Sequence, residues 1–372
     1  MFYREAGQFK TTYEADSEKF PIFQDKVFIW IYLIIAFIVI PALCYTGAIN
    51  AGFFLGAIMI PFLVYALAAV GLNILTGFTG QISLGTGAFM GVGAYACYKM
   101  GTIFPDANII LLMLLSGFFS AAVGVFFGLP SLRIKGFYLV VTTLAAQFFL
   151  TWAFIRIPWL YNHNDSGAID GLQRETFGVL ITGAEANIIV QYLVALSIVV
   201  GMTWIASNIL SGRIGRSWMM IRDMDIAAEL MGVRPLYAKL SAFAVSSFYC
   251  GVAGAMMVFL WLDTAEVESF AYIHSFEILF MVILGGLGSL LGCFLGAAVI
   301  WILPVIMRSV LPAFFEILPD GLGLAITSAQ ADLVTRILIG VLIVVFLIME
   351  PHGLARLWAI LKQKLRVWPF PY

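Results

Sequence analysis

The sequence predicts an all-α, polytopic integral membrane protein, and three observations carry that prediction. Of 372 residues, 62% are hydrophobic and only 11% charged, whereas soluble domains average about 45–50% and about 25%. Mean hydropathy is +1.01. Apolar runs of about 20 residues recur along the whole length, each long enough to cross a hydrocarbon core roughly 30 Å thick. No Asp, Glu, Lys, Arg or His occurs from Val27 to Tyr98. Spanning segments must satisfy their own backbone hydrogen bonds, as helices or closed barrels. These runs are continuously apolar and do not alternate in and out, which excludes the barrel.

Residues 1–26 are polar, carry both signs of charge and read as a cytoplasmic N-terminal segment, wrong in composition for a cleaved signal peptide. A transmembrane domain over 27–350 follows, and 351–372 form a basic cytoplasmic tail. The predicted spans are 27–46, 53–73, 84–100, 109–129, 136–155, 187–209, 240–262, 273–287, 291–308 and 334–350. About ten spans put both termini on one side. Lys and Arg concentrate in short cytoplasmic loops, and here Arg133 and Lys135, the 211–239 loop, the tail and the lead-in all fall on that side. The other side collects Asp106, Asp165, Asp170, Glu175, Asp263, Glu266, Glu268, Glu316 and Asp320, with Arg156, Arg174 and Arg308 as minority exceptions.

Two glycine-rich stretches interrupt the spans: "LTGFTGQISLGTG" (75–87) and "ILGGLGSLLG" (283–292). Each is either a tight turn at the surface or a broken, re-entrant helix, the latter tolerated only where backbone is buried in protein or lines a wet cavity. Their corresponding positions in the two halves suit a transporter built from internal repeats. Gly288, Gly292 and Gly296, like Gly87 and Gly91, are spaced four apart, which predicts small helical faces that let neighbours approach. "GLGSLLG" is no dinucleotide fingerprint, since its spacing is wrong and no strand precedes it. A pore-lining role for the stretch 79–87 is the sharper alternative, with Gln81, Ser83 and Thr86 as its candidates.

Chemistry is sparse. Cys44, Cys97, Cys250 and Cys293 are scattered through apolar segments without ligand spacing, and His163, His274 and His352 stand far apart, so no metal site is expected. Glu277 reads as a snorkelling, interfacial acid near the start of the eighth span. No carboxylate pair, Cys/His couple or Ser/His/Asp set supports an enzyme. The dipeptide Gly-Lys never occurs, so no phosphate-binding loop exists in this chain. Nothing points to nucleic acid.

The charge that remains gathers in "GRSWMMIRDMDIAAELMG" (215–232). As one amphipathic helix over about 216–231 it carries Met219, Met220, Ile226, Ala227, Leu230 and Met231 on a broad apolar face, with Arg222, Asp225 and Glu229 opposite and Asp223 on the apolar side. Gly232 and then Pro235 predict its end. Helices lying on lipid favour Lys and Arg on the polar face; balanced charge and abundant Met suit a groove on another protein.

The residues 215–257 resemble the cytoplasmic loop and following span of permeases in branched-chain amino acid ABC transporters. The resemblance rests on Gly215-Arg216, Ile221-Arg222-Asp223, Ala227-Ala228, Gly232, Lys239-Leu240, Ala242-Phe243 and Ala253-Gly254. "GFTGQISLGTGAFMGVGAY" (77–95), "LRIKGFYLVVTTLA" (132–145), "GGLGSLLGCFLGA" (285–297) and "MEPHGL" (349–354) are similar to further family stretches, in the same order. Thr86 stands where many relatives carry His. The resemblance implies that 211–239 holds a coupling helix, a degenerate form of a Glu-Ala-Ala-x-x-x-Gly motif, in which Ile226 takes the Glu position and Ala227, Ala228 and Gly232 match.

It further implies a non-enzymatic subunit of a bacterial inner-membrane importer. Its partners would be a second permease, two cytoplasmic ATPases that bind ATP and Mg, a periplasmic solute-binding protein and membrane lipid. The coupling residues expected are Arg216, Arg222, Asp223, Asp225, Ala227, Ala228, Glu229 and Gly232. Permeases for urea or short amides share these stretches and are the alternative within the class; a stand-alone ion-coupled carrier is the alternative outside it.

Overall fold

The computed structural model describes residues 23–47, 50–131, 138–163, 168–176, 178–183, 185–316 and 353–367, with Thr12 and isolated positions between 333 and 348. Most of the predicted N-terminal segment and most of the tenth span lie outside these residues, and the segment's last four, Phe23 to Lys26, are already helical. Among those described, eight helices are long and apolar enough to cross a membrane.

Helix α1 runs from Phe23 to Ile34, through a π-helical Ile35–Val39, to Ile40–Tyr45. Helix α2 begins as the π-helical Gly52–Met59 and continues as Ile60–Thr79, every residue of which is buried. An all-round apolar helix must be surrounded, and α2 is the axis of the molecule. Helices α3 (Thr86–Ile103), α4 (Ile109–Ser131) and α5 (Tyr138–Arg156) follow.

After α5 come three short strands, β1 (Ile169–Asp170), β2 (Arg174–Thr176) and β3 (Val179–Thr182), and then α6 (Ile188–Ser211). Helices α7 (Arg213–Asp223) and α8 (Asp225–Leu230) form the charged loop. Helix α9 (Pro235–Met256, then π-helical Met257–Leu262) leads to β4 (Thr264–Ala265), a 3₁₀ turn at Val267–Phe270, and α10 (Tyr272–Gly285). Helices α11 (Leu290–Glu316) and α12 (Gly353–Val367) complete the described chain.

The all-α expectation needs one amendment: β1 pairs antiparallel with β4, and β2 with β3, as two small ribbons on the acidic end. Against α2 pack α6, α9, α10 and α11, while α9 packs on α3 and α4 in turn. The closest crossings use small residues. A Cβ on Gly93 of α3 would fall onto the backbone of Gly251 in α9, and one on Gly296 of α11 onto the carbonyl of Met281 in α10.

Candidate functional site

The end of the bundle that carries the charged loop brings three sequence features together: the loop itself and both glycine breaks. The first break is a re-entry. Helix α2 stops at Thr79 on the left-handed Gly80 (φ 70°), whose N–H and that of Gln81 both return to Leu75 O, a glycine end that lets the chain turn sharply. Residues 80–85 then lead back into the bundle, with Gln81, Ser83 and Gly85 buried.

Helix α3 starts within the bundle. The Gly87 N–H donates to Ser275 Oγ (2.8 Å) and the Ala88 N–H to Gln147 Oε1 (2.7 Å), while Thr143 Oγ1 accepts from the Leu84 N–H at 3.0 Å. Gln147 lies midway along α5, so α3 begins about half-way up that span. Side chains from α5 and α10 thus satisfy two of the donors that a helix start leaves open. Of the path candidates, Ser83 accepts from the Gly85 N–H and Thr86 is the first residue of α3. Gln81 donates to Thr79 Oγ1, while its buried Oε1 has no partner.

The second break is a tight turn between α10 and α11, with Gly286 (φ 112°) and Gly288 (φ 79°) in conformations that L side chains avoid. Gly288 therefore belongs to the turn and not to the helix face expected for it, because α11 begins only at Leu290. Gly292 and Gly296 do face α10, a Cβ on Gly292 meeting Gly285 O at 2.5 Å. Gly87 lies against Ala271 O and Phe270 O, and Gly91 against the Phe154 ring. The turn is clamped to α2 by Asn73, a buried residue that sequence reasoning passed over. Its Oδ1 accepts from the Gly288 N–H (2.9 Å) and its Nδ2 donates to Ser289 O (3.0 Å).

Arg222 sits where these features meet. Its Nη1 donates to Gly77 O at 2.9 Å, near the end of α2. A Cβ on Gly288 would lie 3.1 Å from the same nitrogen, and one on Gly80 3.3 Å from Arg222 Cγ. Arg222 also pairs with its neighbour Asp223 (Nε to Oδ1, 3.1 Å). One charged side chain in the loop therefore touches the end of α2 and stands beside the turn of the second break.

The loop itself departs from the single helix expected. Met224 is extended (φ −156°, ψ 101°) and divides α7 from α8. Neither Gly nor Pro marks the division. Trp218 and Ile221 on the near side are buried, with the Trp218 indole N–H donating to Ser241 Oγ of α9 (3.0 Å). On the far side, Asp225 opens α8 and accepts from Lys239 Nζ of α9 at 2.7 Å. Two separate anchors on α9 thus hold the two pieces, one on each side of the extended Met224.

The apolar face is redistributed in consequence. Met219 and Met220 are half-buried, Ala227 is half-buried and Ala228 buried, whereas Ile226 (75% exposed), Leu230 (85%) and Met231 project outward with Met224. Arg216 and Glu229 are exposed. Gly232 is left-handed (φ 88°) at the end of α8, as its position predicted. Among the described residues no group of three or more His, Cys, Asp or Glu stands together.

The family model of the branched-chain amino acid transport system permease component matches residues 54–347. Two relatives, the high-affinity branched-chain amino acid transport system permease proteins LivM of Salmonella typhimurium strain LT2 and Escherichia coli strain K12, are each 28% identical, over 316 and 315 residues. The alignment covers 78% of this chain and 68% of each relative. No solved structure matches.

Proposed function

The chain belongs to the family of permease components of branched-chain amino acid transport systems, and we propose that it is the membrane subunit of a binding-protein-dependent ABC importer for branched-chain or other aliphatic amino acids. It is a multi-pass membrane protein. In this reading it sits in a bacterial inner membrane with both termini and the basic end cytoplasmic, as the distribution of Lys and Arg favours. It works beside a second permease, two ATPase subunits that hold ATP and Mg, and a periplasmic binding protein that selects the solute.

One observation carries the coupling assignment: α8 presents Ile226, Leu230 and Met231 outward at the basic end, unpartnered, while α7 next to it is seated in the bundle. Exposed apolar side chains on a charged, cytoplasmic surface suit a groove on another protein. Closure of the ATPases would move α8, and α7 would pass that motion through Arg222 to α2 and the glycine turn. The buried segment of Gln81, Ser83 and Thr86, re-entering beside Arg222, is then the stretch of route nearest to the drive.

Copurification tests the assignment. The double variant Ile226→Asp, Leu230→Asp is expected to insert normally, to keep the partner permease and to lose the ATPase subunits. Retention of the ATPases with unchanged ATP-dependent uptake would reject α8 as the docking element.

A further inference from the structure

Glu277 is not the interfacial acid that its place in the sequence suggested. The candidate membrane-spanning stretch that contains α10 runs from Val267 to Gly285, and Ser275 of α10 meets Gln147 midway along α5, so Glu277 lies near mid-span, about 12 Å from the basic end at ~1.5 Å per residue. Snorkelling from that depth is out of reach for a short acidic side chain. The Glu277 side chain is nonetheless 41% exposed, and that of His274 26%.

The two form a row with a residue of α2. His274 Nδ1 lies 2.9 Å from Glu277 Oε2 and 3.1 Å from the hydroxyl oxygen of the buried Tyr65. The Tyr65 ring stacks on Trp301 of α11, centroids 5.0 Å apart, and Trp261 meets both rings edge-on at 6.2 and 5.2 Å. A carboxylate beside electron-rich ring faces is a chemistry that attracts an organic cation.

A half-exposed acid at mid-span does not face hydrocarbon, where its charge is too costly; such groups face a wet cavity or route. Among the described residues of the eight spans, Glu277 is the one carboxylate at that depth. A zwitterionic amino acid carries an ammonium group that needs a counter-charge where water is scarcest. The Gly87 and Ala88 amides at the start of α3 are already taken by Ser275 and Gln147 and leave no open pole for the carboxylate.

We infer that the face of α10 bearing His274 and Glu277 lines the solute route, and that Glu277, oriented by His274 and Tyr65, receives the ammonium group of the passing amino acid. This rests on the importer reading above. The chemical class follows from the site: a compact primary ammonium with an apolar side chain, for which Tyr65, Trp261 and Trp301 supply the neighbouring wall.

Two measurements on the assembled complex, with ATPases and binding protein, decide it. In Glu277→Cys, a cationic, water-soluble methanethiosulfonate is expected to modify Cys at 277, with little background because Cys44, Cys97, Cys250 and Cys293 are all buried. Modification should slow when amino acid-loaded binding protein and ATP are present. In Glu277→Gln, loss of a charge-assisted contact is expected to lower amino acid uptake about tenfold or more, with binding-protein-stimulated ATP hydrolysis retained and Glu277→Asp partly active. Three results overturn the inference: no modification at 277, uptake by Glu277→Gln equal to wild type, or loss of the partner permease from Glu277→Gln on purification, which would make Glu277 an interface residue. A wild-type complex inert toward every amino acid sinks the importer reading together with this one. An active wild type with an unaffected Glu277→Gln sinks this one alone.

Discussion

Helices α7 and α8 share one loop and one end of the molecule, yet they direct their apolar residues oppositely. α7 buries Trp218 and Ile221 and turns Arg222 inward to Gly77 O. α8 buries only Ala228 and presents Ile226 and Leu230 outward. A six-residue helix is too short to hold itself together in water, so α8 depends on its ends: the Asp225–Lys239 pair at one, and left-handed Gly232 at the other. The difference teaches that amphipathicity in this loop is not one stripe along one helix. It is two surfaces, one bound to the bundle and one open, joined by an extended residue.

The sharpest way to break that comparison is at Trp218. It is fully buried, and its indole N–H has a partner in Ser241. Trp218→Ala should cost about 3–5 kcal/mol, the usual range for emptying a buried aromatic site; the Ser241 hydroxyl keeps its own bond to Ala238 O and adds little. Thermal unfolding of the purified protein is expected to show a clear loss of stability. A change below about 1 kcal/mol would mean that α7 is not seated as described.

Arg222 comes next. Arg222→Met removes a hydrogen bond from a charged donor to Gly77 O, which typically contributes about 1.5–3 kcal/mol, but keeps much of the stem that packs on Gly80. The side chain is partly exposed, so the low end of that range is expected in unfolding experiments. The transport consequence should be larger: ATPase subunits bound, ATP hydrolysed, uptake reduced. If ATPases and uptake are lost together, Arg222 belongs with α8 as a docking residue and the division between the helices fails.

Smaller still is the effect of Asp225→Asn. The Asp225–Lys239 pair is short at 2.7 Å, but the Asp225 side chain is half-exposed. Exposed pairs contribute about 0.2–1 kcal/mol, less at high salt. A modest loss of stability that shrinks as ionic strength rises is the expected result. A loss above about 2 kcal/mol would show that α8 is held to α9 far more firmly than one surface pair allows.

Much of this architecture was legible in the residues, and the parts that were not share a physical cause. Eight of the ten predicted spans coincide with helices long and apolar enough to cross a membrane, and the left-handed Gly232 follows from the need to end a helix. The two glycine breaks were found as breaks, but glycine content is the same for a re-entry as for a turn. What separates them is remote: Gln147 and Ser275 cap the start of α3 from α5 and α10, whereas Asn73 of α2 clasps Gly288 and Ser289. The division at Met224 carries no local signal, since it is imposed by Ser241 and Lys239 on α9. Glu277 lies near the start of a span counted from Ile273, but near the middle of the candidate stretch Val267–Gly285, whose 3₁₀ turn gives no signal in the sequence.

The smallest expected effect is also the one that separates the two surfaces most cleanly. Ile226→Ser with Leu230→Ser removes two large apolar side chains that are already in water, so the isolated chain should change in stability by no more than about 0.5 kcal/mol. Set beside the several kcal/mol expected at Trp218, only a few residues earlier in the same loop, such neutrality would locate the reason for these side chains outside the chain. Selection for folding has no use for an isoleucine and a leucine exposed at the basic end; binding to a groove does. If the double serine variant instead unfolds early, α8 packs against the bundle in solution, its apolar face is internal, and the surface assigned to the partner must be sought elsewhere in the loop.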